Sequence, residues 1–308
     1  MRTQLLLLLG LFLLLGSFSW NDVEAQRRFR PPARPLTEEE LMAKKAQWQA
    51  IPAEITFPDP ASFQTQGDSD QMASRTVDWS KWLPADVIQQ EVGNLADGSQ
   101  EAVKNEGFFS SRGFRTTLTN ATTLAVLYHA AAKQNASVPW KEQALGLRDQ
   151  AAEASLYSYN QDTEAFEMAS KVFQHAMQIK EGAVPAEVPE GNSEAIMADD
   201  IADFSGVMRR MEIAQRMKLS RWTANEQEFN SQKDQIRHEA YLLAALAQVM
   251  LDKSYPLGEE EDYIGWTQTM RDNALRAAQA AENSDYETAR TSIVDINLQC
   301  DSCHGTYR

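Results

Sequence analysis

The chain has 308 residues with 29 Lys plus Arg against 44 Asp plus Glu, a formal charge of −15. That length allows roughly two domains at ~150 residues each, and the acidic balance excludes a nucleic-acid binder, which needs a basic footprint against phosphates. Two cysteines are too few for a disulfide framework, and apolar residues at 43% exclude a wholly disordered chain.

Leu5 to Gly16 is an unbroken apolar run behind Arg2, followed by Val23-Glu24-Ala25. A bilayer span takes ~20 residues, so this run is too short for one. It reads as a secretory signal peptide over residues 1–25, with cleavage after Ala25. The mature protein is therefore expected to be exported, to the periplasm, with no integral membrane span. Residues 26–80 form a lead-in: Arg27, Arg28, Arg30 and Arg34 alternate with Pro31, Pro32 and Pro35, an extended basic arm. Thr37 and Glu40 then make a capping box for a short helix.

From Leu83 the pattern is helical. Six of the 11 prolines fall between Pro31 and Pro60, which leaves the rest of the chain free for long helices. Val87, Val92, Leu95 and Val103 give one apolar stripe, and Phe114, Leu118, Leu124, Leu127 and Tyr128 a second. Trp140–Tyr157 and Asp162–Ile179 complete a first set of four over residues 81–182. The stretch 183–196, with Pro185 and Pro189, reads as a linker. Residues 199–219, 224–252, 258–282 and 285–304 make a second set within 197–308. Leu147-Arg148-Asp149 recurs as Met270-Arg271-Asp272 at an offset of 123, and Asn160, Asp162 and Glu164 recur as Asn283, Asp285 and Glu287. The expected fold is all-α: two tandem antiparallel four-helix bundles.

Cys300-Asp301-Ser302-Cys303-His304 is a C-x-x-C-H run, the attachment pattern of c-type haem. Thiols three apart lie on one helical face and can add to the two vinyl groups of one porphyrin. The following imidazole can then reach the iron. A thioredoxin-like pair would want a βαβ context, and a zinc site would want a second ligand pair; neither is present in the sequence. One covalent haem c, held by Cys300 and Cys303 with His304 on the iron, is the expected cofactor, and the second bundle is its expected location.

The chain closes in C-x-x-C-H-x-x-Tyr-Arg at Arg308, and Ala289, Ile293, Ile296, Cys300 and Cys303 fall at spacings of four and three. This resembles the cytochrome c-prime family, four-helix bundles whose last helix ends in that motif, over residues 197–308. The two-bundle layout more loosely resembles exported cytochromes of planctomycete type. The resemblance implies that Cys300 and Cys303 are thioether sites, His304 the proximal ligand and Arg308 the basic residue beside it. Ala202 to Met208 resembles the opening of the related b-type four-helix cytochrome, whose Met binds iron. That makes Met208 the first candidate for the distal face and Met211, three residues on, the second. In the c-prime pattern a bulky apolar residue fills that face instead, leaving an open iron site. Members of the family pair through their first helices, so a dimer is one expectation; the linked first bundle is an alternative occupant of that surface.

Among the remaining candidates, Arg209, Arg210 and Arg216 suit haem propionates or a solvated face. His238 is a possible sixth ligand, while His129 and His175 lie in the haem-free half. Asp199-Asp200 and the acidic run 259–262 read as helix caps, with calcium as the lesser reading. Asn120 and Asn135 begin glycosylation sequons. Without a P-loop, a G-x-G-x-x-G or an H-E-x-x-H, the chain is expected to be no enzyme. Electron transfer with redox partner proteins is the leading function. Binding of nitric oxide or carbon monoxide is the alternative, and a partner-docking protein with a structural haem the third reading.

Overall fold

The computed structural model describes residues 78–134 and 137–307. The expected signal peptide, the lead-in up to residue 77, Asn135 and Arg308 lie outside the described residues. Those described are helical, with no strand among them, and no helix among them is long and apolar enough to cross a membrane.

Helix α1 spans Ala85–Ser99, directly after Pro84, whose fixed φ and missing N–H suit a helix entry. It buries Val87, Ile88, Val92, Leu95 and Ala96. A widened turn over Phe109–Gly113 leads into α2, Phe114–Lys133. Gly113 is required there, since a Cβ would stand 2.1 Å from the Ala102 carbonyl oxygen. α2 is buried almost without interruption from Ala121 to Ala131, because it packs on α1, on α3 (Ala144–Tyr157) and on a helix of the second half. α4, Thr163–Lys180, packs on α3 and α1.

The stretch from residue 183 to 196 lies against α3. Arg148, fully buried, donates to the Asn192 carbonyl, and Asp149 Oδ2 accepts from the Asn192 N–H at 2.6 Å. A Cβ on Gly146 would meet the Pro189 carbonyl oxygen at 1.9 Å.

In the second half, the helix expected over 199–219 is split. A wide turn, Met197–Ile201, precedes α5, Phe204–Glu212, which Asp203 caps through the Gly206 N–H at 2.9 Å. The rod continues through a second wide stretch, Ile213–Leu219, to Trp222. The helix expected over 224–252 is also split. Asn225 caps a short piece, Glu226–Ser231, and α6 runs from Lys233 to Met250. α7 (Glu261–Glu282) packs on α6, and α8 spans Tyr286–Tyr307, burying Ala289, Ser292, Ile293 and Ile296.

The repeat read from the sequence recurs as local geometry. Gln161 (φ 57°) and Ser284 (φ 58°), 123 positions apart, are the two non-glycine residues at positive φ among those described. Each precedes an aspartate cap: Asp162 on the Ala165 N–H at 2.9 Å, and Asp285 on the Thr288 N–H at 3.1 Å. Arg148 pairs with Asp149 at 2.7 Å as Arg271 does with Asp272 at 2.9 Å.

The halves are in direct contact. α5 packs on α2, and Gly206 permits it: a Cβ there would lie 2.2 Å from Thr122 Oγ1. Arg237 of α6 reaches Asp86 of α1 at 2.9 Å, and the Arg271 guanidinium covers the Trp82 ring. Residues 78–304 fall in one compact unit.

Candidate functional site

Cys300 and Cys303 sit in the last turns of α8 as free, half-buried thiols. Burial, with Asp301 and Cys303 beside it, pushes the Cys300 thiol up to about 11 against the opposing charge of Arg216; burial alone takes Cys303 up to about 11. Both are therefore neutral near pH 7. Their i, i+3 spacing places them on one face, with half-buried His304 next in the chain. Beyond Ile296 no described residue of α8 is fully buried.

A chain of contacts leads from these thiols to the start of α7 and on to the start of α5. Burial, and after it the proximity of Cys303, oppose ionisation of Tyr263, in the first turn of α7, whose hydroxyl donates to the Met250 carbonyl at 3.0 Å. Burial, and after it the proximity of Tyr263, oppose ionisation of Tyr255, which donates its hydroxyl to the Ala202 carbonyl at 2.7 Å and whose ring lies 5.9 Å from that of Phe204. The start of α5, the start of α7 and the end of α8 thus share one end of the fold, and α5 runs antiparallel to α8. The Gln215 side-chain amide donates to the Ile293 carbonyl at 3.1 Å, which fixes the face of the α5 rod that looks at α8. Met208 and Met211, three apart in the regular part of α5, lie on one side of that helix and closer to the cysteine end than Gln215. Met211 is buried and Met208 half-buried.

This donor set suits haem c. It offers two neutral thiols one turn apart and an imidazole next in the chain, while Met208 and Met211 of α5 offer thioether sulfur, a soft ligand for iron.

A second constellation lies behind α5. Arg210, which the sequence offered to haem propionates or to solvent, does neither. It is 3% exposed, and its guanidinium donates to Glu91 Oε1 of α1 at 2.9 Å and to Glu239 Oε2 of α6 at 2.8 Å. Lys218 pairs with the other oxygen of Glu239, while His238 Nε2 and Asn94 Nδ2 approach the other oxygen of Glu91 at 2.8 and 3.0 Å. Burial pushes the Glu91 carboxyl up, but Arg210 and His238 outweigh it and hold it down at about 2. Burial likewise opposes the charge on Arg210, and Glu239 and Glu91 outweigh that, raising it.

Glu91, His238 and Glu239 bring one ligand atom each within 4.8 Å of one another. All four carboxylate oxygens are already engaged, and two cations balance two anions. The cluster therefore carries its own cations, and a divalent ion would have to displace Arg210. His238, considered from sequence as an iron ligand, is instead buried with its Nε2 on Glu91.

The remaining candidates are dispersed. Arg209 and Arg216 are exposed and both pair with Glu212, at 2.7 and 3.9 Å. His129 stands edge-on to Trp79, its rings 5.4 Å apart, and burial, with Arg148 and Lys133, lowers it to about 4. His175 meets Gln150 at 3.1 Å. Asn120 lies inside α2 and donates to Ser99. Asp200 accepts from the Ile196 N–H at 2.8 Å, while the cap of α5 is Asp203.

Sequence reasoning missed Glu91 and Glu239. The available signal was a carboxylate at a core position: Glu91 stands three residues from Ile88 and four from Leu95 on the buried stripe of α1.

Comparison with protein-family models, with curated proteins and with solved structures finds no match to this chain.

Proposed function

We propose that the chain is an exported monohaem c-type cytochrome acting in electron transfer, built as two tandem antiparallel four-helix bundles with the haem in the second. The observation that carries the reading is the C-x-x-C-H run ending α8, with its two neutral, half-buried thiols on one face and a methionine-bearing helix opposite. Haem bound there supplies a one-electron couple. Cys300 and Cys303 would hold it through thioethers, and His304, with Met208 or Met211, would offer ligands to its iron. Arg308 is the basic residue set beside that imidazole by the c-prime likeness. Iron ligated by protein groups alone would need little rearrangement between oxidation states, which would suit a carrier docking with redox partner proteins.

The experiment is expression with its leader in a host that matures c-type cytochromes, followed by optical spectra of the purified protein, oxidised and reduced, with and without carbon monoxide. The expected result is haem that survives acid extraction, a low-spin spectrum, insensitivity to the gas, and loss of the haem in a Cys300→Ala/Cys303→Ala variant. Absence of haem in such a host overturns the reading. Attached haem with a high-spin, gas-sensitive spectrum removes the methionine ligand and replaces electron transfer with gas binding.

A further inference from the structure

We infer that the haem-free half acts as a splint for α5, with Glu91 and Arg210 as positioning residues that fix how Met208 and Met211 present to the end of α8. The inference rests on the haem reading above.

Arg210 lies between the two methionines in sequence, but at ~100° per residue it leaves the helix on a different flank. That flank is turned to the first half. The Arg210 guanidinium spans Glu91 and Glu239, two carboxylates on different helices, and a planar fork gripped at two points holds its helix in one rotation. Glu91 is itself held by His238 and Asn94, so the grip on α5 is anchored on α1.

One turn earlier, Gly206 lies against Thr122. Thr122 Oγ1 is pinned by the Leu118 carbonyl at 2.7 Å and by Ser155 Oγ at 2.6 Å, so it does not yield easily. These two contacts, one ionic and one steric, come from different helices of the first half. They bear on the flank of α5 turned away from Met208 and Met211, which by helical period stand roughly 140–200° from Gly206. Just beyond Met211 the rod widens over Ile213–Leu219, so regular helical geometry does not carry the phase of α5 through from its far end. The first half supplies that phase. A rotation of about 20° would carry a side-chain tip at the helix surface by about 2 Å, enough to part a metal–sulfur bond.

The test uses full-length, haem-loaded protein and three variants. Glu91→Gln keeps shape and removes the charge. Gly206→Ala pushes on Thr122. Arg237→Gln cuts an exposed bridge from α6 to Asp86 of α1 and to Glu282, joining the same halves without touching α5. Haem content, helix content by circular dichroism, the spin-state bands and the rate of carbon monoxide binding are measured on each.

With haem and helix content retained, Glu91→Gln and Gly206→Ala are expected to shift the spin-state bands and change the gas-binding rate by about tenfold, the scale on which supporting groups act on a metal. Arg237→Gln is expected to leave both unchanged. Unchanged gas kinetics in the first two variants, with only a lower melting temperature, overturns the inference. So does an equal change in Arg237→Gln, which would mean general loosening. Absence of haem in the wild type is a different failure, that of the functional reading. If Gly206→Ala does not fold, Glu91→Gln decides alone.

Discussion

Arg210 and Glu91 are 119 positions apart in the chain and 2.9 Å apart in the fold, each 3% exposed. Glu239 completes the other side of the guanidinium. A buried pair gains little over an apolar replacement, but removing one partner strands the other charge away from water. Arg210→Ala leaves two carboxylates, with Lys218 opposite only one of them. The expected loss is about 3–5 kcal/mol in urea unfolding. Replacing Glu91, Arg210 and Glu239 together by Leu, Met and Leu should recover most of it. A triple variant as unstable as Arg210→Ala would mean that the loss comes from packing and not from stranded charge.

Acid stability should fall in two steps. His129 titrates near 6.5 when unfolded and near 4 when folded, so the unfolded chain binds the extra proton first and stability drops as pH falls from about 6.5 to 4. Glu91 is depressed from 4.5 to about 2. Its contribution is full above about 4.5 and is lost as pH falls towards 2. Each step is on the order of a few kcal/mol. Unfolding free energies measured against pH should show the upper step vanish in His129→Phe and the lower one shrink in Glu91→Gln. An unchanged profile in His129→Phe would show that its burial does not govern the upper window.

The helices were legible because their apolar spacing is local: Val87, Ile88, Val92 and Leu95 announce α1 by themselves. The cap positions were legible too, since Asp162 and Asp285 act within three residues. The breaks in the second half were not. At the first break Tyr255, in the loop after α6, holds the Ala202 carbonyl from more than fifty positions away. Arg210 was misjudged for the same reason. A cation on a helix looks solvated until a carboxylate from another half of the chain arrives, and nothing near position 210 encodes Glu91. Of the candidate site, the thiols and His304 could be read from one motif. Placing Met208 and Met211 on the flank of α5 away from the first half required the contacts of Arg210 with Glu91 and of Gly206 with Thr122.

The strap over residues 185–192 is expected to be held as firmly as a core element. Gly146→Ala would drive a methyl group into the Pro189 carbonyl, where backbone must move, at a cost of about 1–3 kcal/mol. The Arg148 and Asp149 contacts to Asn192 should be lost with it. Limited proteolysis between Ala183 and Asn192 should then become fast in the variant while the wild type resists. Equal cleavage rates would show that the strap is not fastened at this point.

Gln161 and Ser284 hold equivalent left-handed corners before α4 and α8. Both are exposed, and a side chain in that region costs roughly 1 kcal/mol relative to glycine, offset in part by the greater freedom glycine has when unfolded. Each substitution by Gly should therefore stabilise the chain by up to about 0.5 kcal/mol. Ser284→Gly also gives up an exposed bond from Lys233 at 2.8 Å, so its gain should be the smaller. The two corners share no partner, so the double variant should show the sum of the single effects in thermal unfolding. A loss of stability at either site would mean that the side chain, and not the backbone geometry repeated 123 residues apart, holds that corner.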